Sequence, residues 1–190
     1  MKTKLAVLGS TRGTDLQAII DSIENKTLDA EISIVISNKS DTFILKRAKK
    51  HNIPTLFIDQ KNKTREQFDQ EVLSVLEQYK PDLILLIGYM RILSPLFVRA
   101  YKDRILNVHP SLLPAFAGGM DMNVHQAVIE SGVKETGCTI HLVDEGVDTG
   151  KILVQKKCSV EPSDTAETLK EKVQKLEGEA FIEVIQSYTL

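Results

Sequence analysis

The sequence has no tryptophan, only two cysteines, and aromatic residues amounting to just 5% of its 190 residues. Cys138 and Cys158 form no Cys-x-x-Cys pair, and two cysteines cannot build the disulfide framework of a small secreted domain. No apolar run approaches the roughly 20 residues that a transmembrane helix needs. The N-terminus also lacks the long apolar core and cleavage site of a signal peptide. We therefore expect a cytoplasmic protein that does not bind membranes.

Charge of one sign is not in excess either. The chain has 24 Lys and Arg against 26 Asp and Glu, a formal net charge of −2. A nucleic-acid surface needs a basic stripe, so we expect no nucleic-acid partner. The length suits a single domain spanning residues 1–190, either as a monomer or as a homodimer.

Short apolar runs alternate with segments of helical periodicity along the chain. Alternating β and α units predict a mostly parallel, twisted sheet with helices on both faces, a Rossmann-like α/β fold. The last two runs lack an obvious helix between them and are expected to form an antiparallel edge. The predicted strands are Lys4–Leu8, Glu31–Ile36, Thr55–Phe57, Asp82–Ile87, Arg104–His109, Cys138–Val143 and Lys151–Gln155.

Several polar residues predict where helices begin. Thr14 with Gln17 and Thr64 with Gln67 have the spacing of a capping box. Asp164 is expected to cap the last helix, whose apolar residues recur on one face. Pro81 should end the helix that follows Thr64.

The turn Gly9–Asp15 joins the first predicted strand to the first helix. Ligands of such sheets bind at the carboxyl ends of the strands, and a helix N-terminus behind a glycine turn attracts anions. The turn is neither a Walker loop nor a GxGxxG fingerprint. Local features alone leave a phosphate site and a plain tight turn equally open.

Asn107 and His109 alternate on one strand and therefore point to the same face. Burying an amide and an imidazole costs stability unless each finds partners, which favours a site, although His109 alone could be structural. The loop Val143–Gly150 that follows is acidic but is not an EF-hand. Cys138 and His141 lie three apart on a strand, hence on opposite faces, so we do not expect them to share a metal ion.

Four segments together resemble the folate-dependent formyltransferases over nearly the whole chain. Asn-Val-His-Pro-Ser-Leu-Leu-Pro at 107–114 is similar to the signature of that family. Gly137–His141 followed by Asp144–Gly150 resembles its second block, and Met90–Pro95 a third. The resemblance implies the formyltransferase fold.

The resemblance also implies an activity: transfer of a formyl group from 10-formyltetrahydrofolate to the amine of glycinamide ribonucleotide, without a metal. The methionyl-tRNA formyltransferases of this superfamily carry an added C-terminal domain, and the hydrolases of the formyl donor carry an added N-terminal domain. Neither domain is expected in this chain. We therefore expect the purine-synthesis activity. Transfer to a different amine, hydrolysis of the donor and a non-catalytic folate- or nucleotide-binding module remain alternatives.

Site residues follow from the same resemblance, residue by residue. Asn107, His109 and Asp148 are expected to be catalytic, with Asp148 orienting His109 and favouring its cationic form. The expected ribonucleotide contacts are Gly13, Thr14, Arg65, Met90, Gln174 and Glu177. The expected folate contacts are Arg91, Ile92, Leu93, Val143 and Asp144.

The chain departs from the family pattern at two places. Asp15 stands where the family usually has Asn, and it is expected to act as a helix cap facing away from the phosphate. The loop 115–125 is longer than usual and is expected to form a mobile lid. His125, within it, is either a substrate contact or a residue on the helix surface.

Overall fold

A computed structural model of the chain describes residues 2–119 and 122–188. Its centre is a seven-stranded sheet in the order β3-β2-β1-β4-β5-β6-β7. The strands are β1 (Thr3–Gly9), β2 (Ala30–Ser37), β3 (Thr55–Phe57), β4 (Leu83–Ile87), β5 (Ile105–His109), β6 (Glu135–Leu142) and β7 (Ile152–Ser159). The pairs from β3 to β5 are parallel, whereas β6 pairs antiparallel with both β5 and β7. The predicted fold class and its antiparallel edge are confirmed.

Helices cover both faces of this sheet. They are α1 (Thr14–Glu24), α2 (Phe43–Lys50), α3 (Arg65–Tyr79), α4 (Pro95–Ala100), α5 (Met122–Ser131) and α6 (Ala166–Ser187). Within the described part of the chain, no helix is both long and apolar enough to cross a membrane.

The sheet separates two apolar cores because side chains alternate along a buried strand. In β1, Leu5 and Val7 join the core that contains residues of α1 and α6, whereas Ala6 and Leu8 join the core beneath α3 and α4. Both faces of the central strands are therefore apolar, which explains why β1 and β4 have continuous apolar sequences rather than alternating ones.

Of the four residues predicted to cap helices, Thr64 does so, whereas Thr14, Asp15 and Asp164 do not. Thr64 and Gln67 form the expected capping box at α3, which ends just before Pro81. Thr14 does not cap α1, because Gly13 occupies the cap position in a left-handed conformation (φ 67°). Gln17 instead donates from Nε2 to Asp21 (2.7 Å).

At α6 the cap is Thr165, one residue after the predicted Asp164. Thr165 and Thr168 form a capping box, in which the hydroxyl of each residue accepts from the backbone N–H of the other. The carboxylate of Asp164 accepts from the backbone N–H of Glu161 (2.8 Å), from the hydroxyl of Thr168 (3.0 Å) and from Lys172 (2.7 Å), so it connects the preceding turn to α6.

Replacing Phe181 by alanine tests the packing of α6 on the sheet. Phe181 is fully buried, and truncation of a buried phenylalanine costs about 3–5 kcal/mol of unfolding free energy. Phe43→Ala is the matched control, because Phe43 is 60% exposed and its loss should cost well under about 1 kcal/mol. Urea unfolding measures both, and similar losses would contradict this packing.

Candidate active site

A cavity of about 290 Å³ opens at the carboxyl ends of β1, β4 and β5. The strand order reverses between β1 and β4, since β2 lies on one side of β1 and β4 on the other. The loops that leave these two strands therefore diverge to opposite faces of the sheet and leave a crevice between them. Topology alone places the principal site of the fold here.

Asn107 and His109 are brought to this cavity by the last residues of β5. Their side chains are on the same face, as strand alternation predicts, and both line the cavity. The antiparallel register pairs Asn107 with His141 of β6. Nδ2 of Asn107 lies 3.1 Å from Nε2 of His141, and Nδ1 of His141 donates to the carbonyl of Leu142 (2.8 Å).

Asp148 approaches the same cluster from the loop between β6 and β7. Its backbone is left-handed (φ 55°), a conformation that Asp tolerates better than most residues. Its Oδ2 lies 3.2 Å from Nδ1 of His109, and its Oδ1 lies 3.5 Å from Nε2 of His141. The carboxylate thus lies between two imidazoles, and both rings are almost fully buried.

Asp144, in the same loop, has a different role. Its Oδ1 accepts from the backbone N–H of Gly146 (3.0 Å) and from the hydroxyl of Thr149 (2.6 Å), which folds the loop back on itself. At the base of the loop, a Cβ on Gly150 would lie 1.7 Å from the carbonyl oxygen of Leu142. Only glycine allows that closure, which points Asp148 inward.

The electrostatics of Asp148 follow from these neighbours. Burial by itself would raise the pKa of the Asp148 carboxyl. The hydrogen bond from His141, the backbone N–H of Gly118 and the charge of His109 outweigh burial and hold that pKa below its ordinary value. Asp148 is therefore a carboxylate throughout the neutral range.

The hydrogen-bond partners of His109 also define where its hydrogens lie. Nε2 faces the carbonyl oxygen of Phe116 (2.9 Å) and Nδ1 faces the carboxylate of Asp148. Both partners can only accept, so the ring satisfies both contacts when each nitrogen carries a hydrogen.

The amide of Asn107 has two possible orientations, which depend on whether Nε2 of His141 carries a hydrogen. The hydrogen on Nδ1 of that ring is already donated to the carbonyl of Leu142. If Nε2 of His141 accepts, Asn107 donates one N–H to it and keeps the second. If Nε2 carries a hydrogen as well as Nδ1, that N–H points to Asp148, and the amide turns by half a rotation to present its oxygen to His141. In both orientations an N–H of Asn107 is available to the cavity.

The predicted substrate residues converge on this cavity with one exception. Gly13, Thr14, Met90, Gln174 and Glu177 line it, as do Arg91, Ile92, Leu93, Val143 and Asp144. Arg65 is not among its lining residues: it begins α3, and its Nε donates to Glu66 (3.3 Å).

Three lining residues were not predicted or were predicted to face elsewhere. Asp15 is 4% exposed and lines the cavity, so the expectation that it faces away is wrong. His125 is 2% exposed, which excludes the helix-surface alternative. No role for His141 was expected from the sequence. Alternation along the strand nevertheless places its side chain on the same face as Thr139 and on the face opposite to Cys138.

The loop after β5 contacts the candidate catalytic residues directly. The backbone N–H of Gly118 donates to Oδ2 of Asp148 (2.8 Å), and the carbonyl of Ala115 accepts from Ser111 (2.6 Å). Met120 and Asp121 of the expected lid 115–125 lie outside the described residues. Among the described residues, no group of three His, Cys, Asp or Glu side chains could hold a metal ion.

The fold and site together define an α/β protein of the Rossmann-like class, with an amide, an imidazole and a carboxylate assembled at its switch-point crevice. Residues 3–185 match the formyl transferase family, and the chain belongs to that family.

Relatives with assigned names agree with this placement. The chain is 47% identical over 186 residues to the chicken trifunctional purine biosynthetic protein adenosine-3, covering 97% of the chain but only 18% of that protein. The chain thus spans less than a fifth of the trifunctional relatives. It is 41% identical over 187 residues to phosphoribosylglycinamide formyltransferase of Haemophilus influenzae, covering 98% of the chain and 87% of that enzyme.

Solved structures give the same result. Glycinamide ribonucleotide transformylase 1 of Symbiobacterium toebii superposes with a TM-score of 0.93 at 36% identity, covering 97% of this chain and 86% of that one. Phosphoribosylglycinamide formyltransferase of Coxiella burnetii, in complex with CHES, gives 0.91 at 40% identity, covering 98% and 86%.

Hydrogen exchange tests the contact between Asp148 and the loop after β5. Asp148→Ala removes the charged acceptor of the Gly118 N–H, a bond of the kind worth about 1.5–3 kcal/mol. We expect exchange of that amide to accelerate by about tenfold or more. Asp144→Ala serves as the control, since Asp144 does not accept from Gly118. Unchanged protection of Gly118 in Asp148→Ala would contradict the contact.

Proposed function

We propose that the protein transfers a formyl group from 10-formyltetrahydrofolate to the amine of glycinamide ribonucleotide, giving formylglycinamide ribonucleotide and tetrahydrofolate. The observation that carries the proposal is the cluster of Asn107, His109 and Asp148 that lines the cavity, in a chain similar to enzymes named for this substrate. The activity belongs to de novo purine synthesis.

The reaction needs a donor for a developing negative charge. The lone pair of the substrate amine attacks the formyl carbon, and the electrons of the C=O bond move to its oxygen. An N–H of Asn107 and the Nε2–H of His109 would both donate to that oxygen. Preorganised donors of this kind contribute about 3 kcal/mol each in a site that excludes water.

Collapse of the intermediate breaks the bond between the formyl carbon and N10 of the folate. The attacking nitrogen loses a proton and N10 gains one, so the protons balance without a further reactant. Asp148, already ionised, would keep His109 protonated until the ring passes its proton to N10. The amine proton, received by Asp148 through water, would return through water to Nε2 of His109, because Nδ1 keeps its own hydrogen throughout.

In this structure Nε2 of His109 donates to the carbonyl of Phe116. The formyl oxygen would have to replace that acceptor, so substrate binding and a shift of the 115–119 segment would be coupled. The loop after β5 would therefore take part in the reaction, which its length alone does not indicate.

The two substrates would occupy different parts of the cavity. The turn of Gly13 and Thr14 would hold the ribonucleotide phosphate at the N-terminus of α1, where backbone N–H groups lack partners within the helix. Gln174 would contact the ribonucleotide, and Glu177 its amino end. Met90–Leu93, Val143 and Asp144 would form the wall against the pterin. No metal is required, because the formyl donor is already activated.

Arg65 does not line the cavity and would reach the phosphate only by moving its side chain. It is exposed at the start of α3 and would have to leave Glu66. A contribution of Arg65 would therefore appear in KM for the ribonucleotide rather than in kcat.

A turnover assay with 10-formyltetrahydrofolate and glycinamide ribonucleotide tests the assignment. Asn107→Ala and Asp148→Asn should each lower kcat by about 10²–10³-fold, since each change removes a preorganised group from the transition state. The release of tetrahydrofolate reports the rate.

Asp103→Asn is the matched control, because Asp103 is exposed before the start of β5, at the opposite end of that strand, and should leave kcat unchanged. Near-normal turnover of either site variant would contradict the role assigned to it. Formate release without an acceptor, at the rate of transfer, would instead identify a hydrolase, and the absence of both reactions a binding module.

A further inference from the structure

Asp15 and Glu177 bring two carboxyl groups together inside the cavity. Asp15 lies in the first turn of α1 and Glu177 on α6, and they are only 4% and 7% exposed. The two helices approach closely at this point, since a Cβ added to Gly178 would lie 2.6 Å from Cβ of Ala18. This close packing fixes both carboxyl groups at one side of the cavity, next to the glycine turn.

The contact between these side chains requires a proton. Asp15 is in hydrogen-bonding contact with Glu177, yet a carboxylate has no hydrogen to donate. Oδ1 of Asp15 is buried and has no hydrogen-bond partner among the described residues. Two adjacent buried carboxyl groups do not both ionise easily, and the usual outcome is one proton shared by the pair.

Charges from the surrounding elements act on the pair as well. Burial raises the pKa of Asp15 to about 7, although its hydrogen bonds with Glu177 and Thr14 partly lower it. The titratable and charged groups on the neighbouring elements are Arg12 of the turn, Arg47 of α2, His125 of α5, Cys138 of β6, Lys156 of β7 and Lys170 of α6. Lys156 pairs with Glu183 (2.7 Å), so it does not neutralise the carboxyl pair.

The shared proton affects the binding of anions, because the two carboxyl groups lie beside the glycine turn. The same first turn of α1 presents backbone N–H groups and a positive dipole to an anion. A phosphate ester bound there would repel an ionised Asp15, whereas a protonated pair carries one negative charge instead of two. Binding of the anion would therefore favour the protonated pair.

We propose that Asp15 and Glu177 share one proton in the free protein, and that binding of a phosphate ester at the adjacent turn is linked to that proton. The second half rests on the proposed function, because the phosphate ester is that of the ribonucleotide. Below about pH 7 the pair already holds its proton, so affinity does not depend on it. Above that pH, binding takes up a proton, and affinity falls by up to about tenfold per pH unit.

Asp15→Asn is the decisive variant because it keeps the shape of the side chain. The amide that replaces the carboxyl group can donate to an ionised Glu177, so the pair no longer needs a proton. Asp21→Asn is the control on the same helix, where the exposed carboxylate accepts from Gln17 outside the cavity.

Infrared difference spectroscopy tests the shared proton without any substrate. At pH 6 the unmodified protein should show the carbonyl band of a protonated carboxylic acid, which disappears above about pH 7. The band should be absent from Asp15→Asn and present in Asp21→Asn. Its absence from the unmodified protein, or its survival in Asp15→Asn, would overturn the shared proton whatever reaction the protein catalyses.

Thermal unfolding is an independent readout of the same pair. The folded-state pKa of Asp15 lies above its ordinary value of 3.8, so ionisation of Asp15 destabilises the fold increasingly as pH rises from 3.8 to about 7. Asp15→Asn should therefore raise Tm more at pH 8 than at pH 5. An equal shift at both values would contradict the proposal.

Calorimetry tests the linkage to the ligand. Glycinamide ribonucleotide, and inorganic phosphate as a second probe, are titrated at pH 8 in two buffers of different ionisation enthalpy. The unmodified protein should take up a proton on binding, and Asp15→Asn should take up none. Equal proton uptake by the two proteins overturns the linkage, whereas an intact infrared band with no binding of the ribonucleotide contradicts the proposed function instead.

Discussion

The carboxylate of Asp148 is the acceptor on which the rest of the site depends. It lies between the rings of His109 and His141 and also accepts from the backbone of Gly118. These contacts come from β5, from the loop after β5 and from β6, so a single charge connects three successive segments of the chain. Removing it would leave two buried imidazoles competing for the remaining acceptors.

The apolar sheet is what allows such a charge to be held in place. The central strands are buried on both faces, so polar side chains are tolerated only where a strand ends and its loop opens into the crevice. Asn107 and His109 occupy the last residues of β5 for this reason. The antiparallel pairing of β6 with β5 then places His141 opposite Asn107.

Much of the fold could be predicted from the sequence because its signals are local. Apolar runs identified the strands, and alternation along β5 placed Asn107 and His109 on one face. The short helix α4 was missed, although Ser94 caps it and Pro95 takes its first position, a readable start signal. The cap of α1 was wrong because the left-handed backbone of Gly13 took the position that a hydroxyl would have used.

The parts of the site that could not be predicted depend on contacts between distant segments. The approach of His141 to Asp148 requires the β5–β6 register and the folded loop after β6. The approach of Asp15 to Glu177 requires the close packing of two helices from opposite ends of the chain. No local pattern encodes either distance, and the prediction that Asp15 faces away failed because a good helix-cap residue can equally well be buried.

The organising role of Asp148 can be measured most directly by ¹⁵N NMR of the histidine rings in the unmodified protein and in Asp148→Asn. We predict that Nδ1 of His109 carries a hydrogen in the unmodified protein and that its ¹⁵N shift changes markedly in the variant. Nδ1 of His141 should keep its hydrogen in both proteins, because the carbonyl of Leu142 holds it. A His109 ring with the same hydrogen positions and the same shifts in both proteins would contradict this role of Asp148.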